Sequence, residues 1–395
     1  MNGLKEKLDT LCIFRDLLTD PVISALSVLL EEPTNSAYAG FVAALYQANG
    51  GNISNHVKSL CDDSSNIYVQ TIGKKDAVPE YLSSALLTEL QTLQEVSDLT
   101  KEALCQELGE ALYNQDLLPA FATEAFHVKE HYLHRTANIG KYGYGIYAKN
   151  RMFYVDEQDH IVPVQHPDQT RLTDLIDYER ERKIILDNTK ALLDGKPAAN
   201  ILLTGDAGTG KSSTVKAIGN ELYQEGLRII EVRKNQLQAI PKILDDLASN
   251  PLKFVLFIDD LSFLKDDDNF NALKAVLEGS VTAKSGNVVI YATSNRRHII
   301  KETFSDREGD DIHRNDTIQE LISLSERFGI HITFSKPNKE TFLHIVHYLA
   351  EENGIAMPQE ELDLLAERFA LERGGRSARI ARQLIDGLLA APAQS

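Results

Sequence analysis

Eight residues constrain this chain more than any others: Gly205-Asp206-Ala207-Gly208-Thr209-Gly210-Lys211-Ser212, a GxxxxGK[ST] run. It lies between an apolar stretch, ANILLTG, and a helix-forming one, KSSTVKAIGNELYQEG. The glycines let successive backbone N–H groups face one anion, and the new helix adds free N–H groups and the positive end of its dipole. The spacing therefore predicts a phosphate site lined by Gly205, Asp206, Ala207, Gly208, Thr209, Gly210, Lys211, Ser212 and Ser213. Lys211 has the reach for the β- and γ-phosphates of a nucleotide, and the Ser212 hydroxyl suits Mg2+. A dinucleotide fingerprint is excluded, because Ser213 stands where its third glycine belongs.

A second feature supports this reading. Val255-Leu256-Phe257-Ile258 is a fully apolar strand that ends in Asp259-Asp260. Two carboxylates at the end of a buried strand are costly unless they are solvated, paired or bound to metal. Beside a phosphate loop, Asp259 is the expected Mg2+ ligand and Asp260 the expected group for polarising an attacking water. A solvated turn is the alternative.

From residue 170 the chain alternates strand and helix, which predicts a parallel sheet with helices on both faces. Strands are expected at ANILLTG, RIIEVRK, KFVLFIDD, NVVIYATSN and HITF, and three lid helices at about 338–353, 358–372 and 376–390. Before that, residues 1–136 read as mainly helical. Leu4, Leu8, Leu11, Cys12 and Phe14 fall near helical spacing, as do Leu82, Leu86, Leu90 and Leu93; Pro21, Pro33 and Pro119 mark possible helix starts. Gly50-Gly51 and Asp62-Asp63-Ser64-Ser65 read as loops. The expected organisation is a helical domain over 1–136, a linker with a short β-hairpin over 137–169, an α/β nucleotide-binding domain over 170–336, and a helical lid over 337–395.

Charge narrows the partners. The formal net charge is −17, and residues 1–169 carry 12 basic against 23 acidic side chains. Coating DNA needs clustered Lys and Arg, so nucleic acid is not supported as a generic partner. Cys12, Cys61 and Cys105 have no zinc or redox spacing and read as reduced thiols, which points to the cytoplasm. No apolar run approaches a membrane span, and the start, MNGLKEKLDT, lacks the apolar core of a signal peptide.

The motifs ANILLTGDAGTGKSS, FVLFIDDLSF, ALKAVLEGS, VVIYATSNRRH, SLSERFG and GGRSARIARQ together resemble the AAA+ ATPases, and more narrowly a bacterial ATP-binding family known as domain of unknown function 815. The resemblance covers about residues 145–392. It implies an ATP- and Mg2+-dependent ATPase with the AAA+ form of the P-loop fold, working as a homo-oligomer; the separate acidic helical N-terminal domain is then the expected module for a protein partner. It makes Asn295 the sensor-1 residue that orients water. It makes Arg327 the arginine finger for a neighbouring subunit's ATP, and Arg376 the lid's sensor-2 arginine, with Arg379 as a fallback. Leu175, Ile176 and Tyr178 become candidate adenine contacts. Many AAA+ members carry Glu where Asp260 stands, so slow turnover is expected.

Each role has a plainer competitor. Asn295 suits a strand-to-loop turn, Arg327 an ion pair with Glu326 or Glu320, and Arg376 the start of a lid helix. Arg296, Arg297, Arg307 and Arg314 are further interface arginines, and Lys301–Thr317 is long and charged for a connection. His127, Glu130, His131 and His134 give an HxxEH-like stripe with zinc-compatible spacing, but no third ligand can be assigned. Three functional classes follow: a ring-forming remodelling ATPase, a low-turnover nucleotide-dependent switch or loader, and a small-molecule kinase. The sensor-like Asn295 argues against the kinase, and Asn338-Lys339-Glu340-Thr341 lacks the Asp of a guanine-reading NKxD motif.

Overall fold

A computed structural model describes residues 3–261, 268–278, 286–295 and 326–390. Arg296, Arg297, Arg307, Arg314, Glu320 and the segment Lys301–Thr317 lie outside the described residues. The chain divides into two compact units, one of Met1–Lys149 with Asn250–Leu252, the other of Asn150–Ser249 with Lys253–Ser395. The stretch read as a linker over 137–169 is thus shared between them. Among the described residues no helix is long and apolar enough to cross a membrane.

The first unit is helical because its caps and its apolar spacing agree. Asp20 accepts from Val22 N and Ile23 N and opens Pro21–Glu31; Thr34, Asn52, Asn66 and Thr100 open Asn35–Asn49, Ile53–Asp63, Ile67–Gly73 and Lys101–Leu108 in the same way. Leu86, Leu90 and Leu93 of Glu80–Ser97 join Leu4, Leu8, Leu11 and Phe14 in one buried core. Two expectations are corrected. Pro119 opens no helix: its carbonyl accepts from Tyr38 Oη, and Ala122 pairs with Gly51 and Ile53, which keeps this stretch extended. Asp62 and Asp63 belong to the end of Ile53–Asp63 rather than to a loop, and Asp62 is held there by His131 and Arg135.

The second unit is built on a seven-stranded sheet. Its strands are β1 (Met152–Val155), β2 (Ile161–Pro163), β3 (Ile201–Gly205), β4 (Leu227–Glu231), β5 (Lys253–Ile258), β6 (Val288–Ser294) and β7 (Ile330–Phe334). The spatial order is β2-β1-β4-β5-β6-β3-β7, and every pairing is parallel except β1 with β2. The hairpin therefore extends the sheet, with β1 beside β4. Ile201, Leu203, Val255, Phe257, Val289, Tyr291, Ile332 and Phe334 form a core with Ile185 and Leu192 of the helix Glu179–Leu193 and with Val215 and Ile218 of the helix Lys211–Glu221. The alternate residues Leu202, Phe254, Leu256, Ile258 and Ile290 are buried too, so both faces are covered. The lid is three helices, Lys339–Glu352, Gln359–Glu372 and Ala378–Ala390, closed over Phe342, Ile345, Leu362, Ala366 and Leu384.

Candidate functional site

The loop after β3 depends on close packing. Gly205 has φ 134°, and a Cβ there would lie 2.0 Å from the carbonyl oxygen of Phe334 at the end of β7, so only glycine fits. Gly208, at φ 79°, passes under the start of the last lid helix, where a Cβ would meet Ser377 Oγ and Arg379 Cβ at 3.0 Å. Gly210 then opens the helix Lys211–Glu221, and Thr209 Oγ1 donates to Asp206 O at 2.9 Å. Lys211 is buried. Its Nζ donates to the carbonyls of Gly205 and Asp206, both at 2.8 Å, and to Asn295 Oδ1 at 3.0 Å. Burial lowers its pKa, opposed by Asp259, Asp206 and Asp260.

The carboxyl ends of β3, β5 and β6 meet in one hydrogen-bonded chain. Ser212 Oγ donates to Asp259 Oδ1 at 2.6 Å, and Thr293 Oγ1 donates to the same oxygen at 2.5 Å. Asp260 N donates to Thr293 Oγ1 at 2.9 Å. Asn295 Nδ2 donates to Asp260 Oδ1 at 2.7 Å, while its Oδ1 faces Lys211. Both amide atoms of Asn295 are therefore assigned by their partners. Asp260 has φ 54°, a left-handed conformation that turns the chain sharply after β5. Asp259, Asp260 and Asn295 are exposed, so this end of the sheet is open to solvent.

The segment before the helix Glu179–Leu193 is held from two sides. Asp174 accepts from Arg171 N at 2.7 Å, and Arg182 donates to the carbonyl of Leu175. Ile176 packs against the lid core, whereas Tyr178 packs against the sheet core. The Tyr178 ring sits 5.1 Å from that of Phe334, and its hydroxyl donates to Ser335 O. Burial pushes the Tyr178 phenol up to about 12 and raises the Asp177 carboxyl, the latter opposed by His344. Ile176 and Tyr178 thus lie between lid and sheet, with Tyr178 on the residue that touches Gly205. Leu175 is half-buried beside them.

The three arginines fall in different places. Arg327 precedes β7 and pairs with Glu278. In the register of β3 and β7, Ile201 pairs with Ile330 and Gly205 with Phe334, so Arg327 lies at the opposite end of the sheet from the phosphate loop. Arg376 makes a two-pronged pair with Glu367, at 2.8 and 2.6 Å, which holds the Glu367 carboxyl below its ordinary range. Arg379 is the lid arginine at the loop: its backbone N reaches Gly208 O at 3.4 Å, and its charge depresses the Lys211 pKa.

The histidines are engaged elsewhere. His131 and Arg135 share Asp62, and His134 Nε2 is 3.3 Å from Tyr142 Oη. Among the described residues no group of three potential ligands could hold a metal. Sequence reasoning missed Thr293, which ties Asp259 to Asp260; a polar residue two before Asn295 in an apolar strand was the available signal. It also missed Phe334, which supports both Gly205 and Tyr178 and looks like any core aromatic.

The donor set fits a nucleotide and its cation. The glycine-rich turn leading into the N-terminus of the helix Lys211–Glu221, with Lys211 beside it, suits phosphate. The hard oxygens of Ser212 and Asp259, already 2.6 Å apart, suit Mg2+.

Comparison with known proteins gives one family and several distant likenesses. The profile of the family described as "Protein of unknown function (DUF815)" matches residues 148–391. The chromosomal replication initiator protein DnaA of Bifidobacterium animalis subsp. lactis is 28% identical over 199 residues, which is 45% of this chain and 30% of DnaA. Among solved structures, the Thermotoga maritima RuvB Holliday junction branch migration motor is similar at 18% identity and a TM-score of 0.38, over 55% of this chain and 63% of that one. This chain spans less than two thirds of the length of either protein.

Proposed function

The chain belongs to the DUF815 family, and from that premise we propose a function in which its sheet unit works as the AAA+ form of the P-loop fold. On this reading it binds ATP with Mg2+, hydrolyses it to ADP and phosphate, and works as a homo-oligomeric remodelling or loading machine. The observation that carries the reading is the continuous chain Ser212–Asp259–Thr293–Asp260–Asn295–Lys211 at the strand ends.

The residues divide the work. Backbone N–H groups of residues 205–213 surround the phosphates, and Lys211 exchanges its loop carbonyls for phosphate oxygens. Ser212 and Asp259 hold Mg2+, which when bound offsets the negative charge of the phosphates. Asp260 takes a proton from the attacking water, and Asn295 orients the pair. Leu175, Ile176 and Tyr178 hold the base. Arg379 suits the lid's phosphate-sensing role better than Arg376, because Arg376 is already committed to Glu367. Arg327 is too far along the sheet to serve its own loop, which favours its acting on the site of a second copy. The acidic N-terminal unit is the proposed docking module for a protein partner. The net charge of −17 argues against a DNA-coating role, although DnaA is named as a replication initiator.

The test is ATP turnover by the wild type beside Lys211→Ala and Asp260→Asn, with light scattering in the same nucleotide states. Turnover lost in both variants, with ATP-dependent assembly of the wild type, supports the machine. One observation favours a second reading, a low-turnover switch: Asp260 is a short carboxylate already bonded to Asn295. ATP binding that needs Lys211, without phosphate release or assembly, would favour that reading.

A further inference from the structure

The phosphate loop carries one residue that works against it. Asp206 is the second residue of an anion-binding run, and its carboxylate adds negative charge where phosphates are to be held. That carboxylate is one of the groups opposing the lowering of the Lys211 pKa, and it helps to raise the Tyr178 phenol. Its charge is therefore felt across the site, and a bound phosphate would feel it too.

The strand register supplies an offset. β3 and β7 run parallel with Gly205 opposite Phe334, so the residues just past the two strand ends come side by side. Asp206 follows one end, and Ser335 and Lys336 follow the other. Lys336 Nζ lies 3.8 Å from Asp206 Oδ1, with both side chains half exposed. The lid comes to the same point: a Cβ on Gly375 would stand 3.7 Å from that Nζ. Gly374 and Gly375, at φ 84° and 137°, form the turn that brings the lid chain there. Phosphate loop, strand-to-lid connection and lid turn thus meet at one ammonium. An ion pair this exposed contributes little to folding. Its weight falls on the charge that the loop binds.

We propose that Lys336 is a positioning residue for the phosphate loop: it draws the Asp206 carboxylate onto the connection to the lid and so lets the loop accept a highly charged nucleotide. The inference rests on the nucleotide reading above and names how the loop's own negative charge is offset. Lys336 acts through Asp206 rather than on the nucleotide, so its removal matters only while Asp206 keeps its charge. A bare carboxylate repels every phosphate charge nearby, so ATP suffers more than the less charged ADP.

The experiment is equilibrium binding of ATP and ADP to the full chain, by displacement of a fluorescent nucleotide at low ionic strength. Lys336→Gln, Asp206→Asn and the two changes together form a double-mutant cycle. Lys336→Gln should weaken ATP by about tenfold and ADP by about threefold. Asp206→Asn should tighten ATP by about threefold, and adding Lys336→Gln to it should change affinity by less than about twofold. Lys336→Arg keeps the charge and should hold affinity within about twofold of the wild type. Thermal midpoints without nucleotide should stay level through the series. A loss on Lys336→Gln that persists in full beside Asp206→Asn would make Lys336 a direct nucleotide contact or a strut for the lid and overturn the proposal. Unchanged affinity in Lys336→Gln would overturn it too, leaving ATP binding intact. Absence of any Lys211-dependent binding would remove the nucleotide reading itself, and this one with it.

Discussion

Glu89 in the helical unit and Lys211 in the sheet unit are both charged side chains taken out of water, with 6% and 5% of their surface exposed. Glu89 is surrounded by donors. Its two oxygens accept from the backbone N–H groups of Cys12, Ile13 and Phe14 at 2.9 to 3.1 Å, and from Cys12 Sγ at 3.0 Å. Those N–H groups begin a turn and gain a partner they would otherwise lack. Lys211 is held by two carbonyls of its own loop and by Asn295, which also engages Asp260, and its pKa is lowered by burial. The Glu89 contacts form a closed structural cap. The Lys211 contacts are a holding arrangement beside exposed carboxylates with lone pairs to spare. Burial alone does not mark a functional charge; unfilled capacity in its neighbours does.

The comparison can be broken at several points. The largest effect is expected at Lys211→Ala, which should lower ATP turnover about 10^2- to 10^3-fold. The thermal midpoint should stay level or rise, since a costly buried cation is gone. A large fall in stability without nucleotide would place Lys211 with Glu89 as a structural charge. Glu89→Ala should destabilise the helical unit by about 3 kcal/mol, because three backbone donors lose their partner. Urea unfolding followed by helical circular dichroism measures this, and ATP affinity should not move. In the lid, Arg379→Ala should weaken ATP by about tenfold and Arg376→Ala by less than about threefold, read by nucleotide titration. The reverse order would return the phosphate-sensing role to Arg376.

The smallest effect concerns pH. Burial pushes the Asp20 carboxyl up, but the hydrogen bond from His56, at 2.8 Å, and those from the helix N–H groups outweigh it and hold the group below its ordinary value. Its stabilisation is therefore complete above the unfolded carboxyl range, near pH 4, and is lost as pH falls through the lower folded value. Asp20→Asn should remove this slope, below about 1 kcal/mol, from urea midpoints taken between pH 5 and pH 2.

Much of the candidate site was legible because its motifs are local. The loop from Gly205 to Ser212 and the pair Asp259-Asp260 each declare their chemistry within a few residues of chain. The lid arginines were harder to order. Arg376 and Arg379 are three residues apart, and which one faces the loop depends on where the helix begins. Ser377 Oγ accepts from Ile380 N at 3.2 Å, so the helix starts at Ala378. Arg376 is left outside it and turns to Glu367. Pro119 misled because its neighbours pair with Gly51 and Ile53, some seventy residues earlier.

The close approach of Gly205 to Phe334 has a mechanical consequence. β7 is a stiff bar about 13 Å long, from Ile330 to Phe334. One end is wedged against the phosphate loop with no room for a methyl group, and the other leads directly to Arg327. A Gly205→Ala change would have to displace β7 itself, and the strain would be shared by what the strand supports, Tyr178 included.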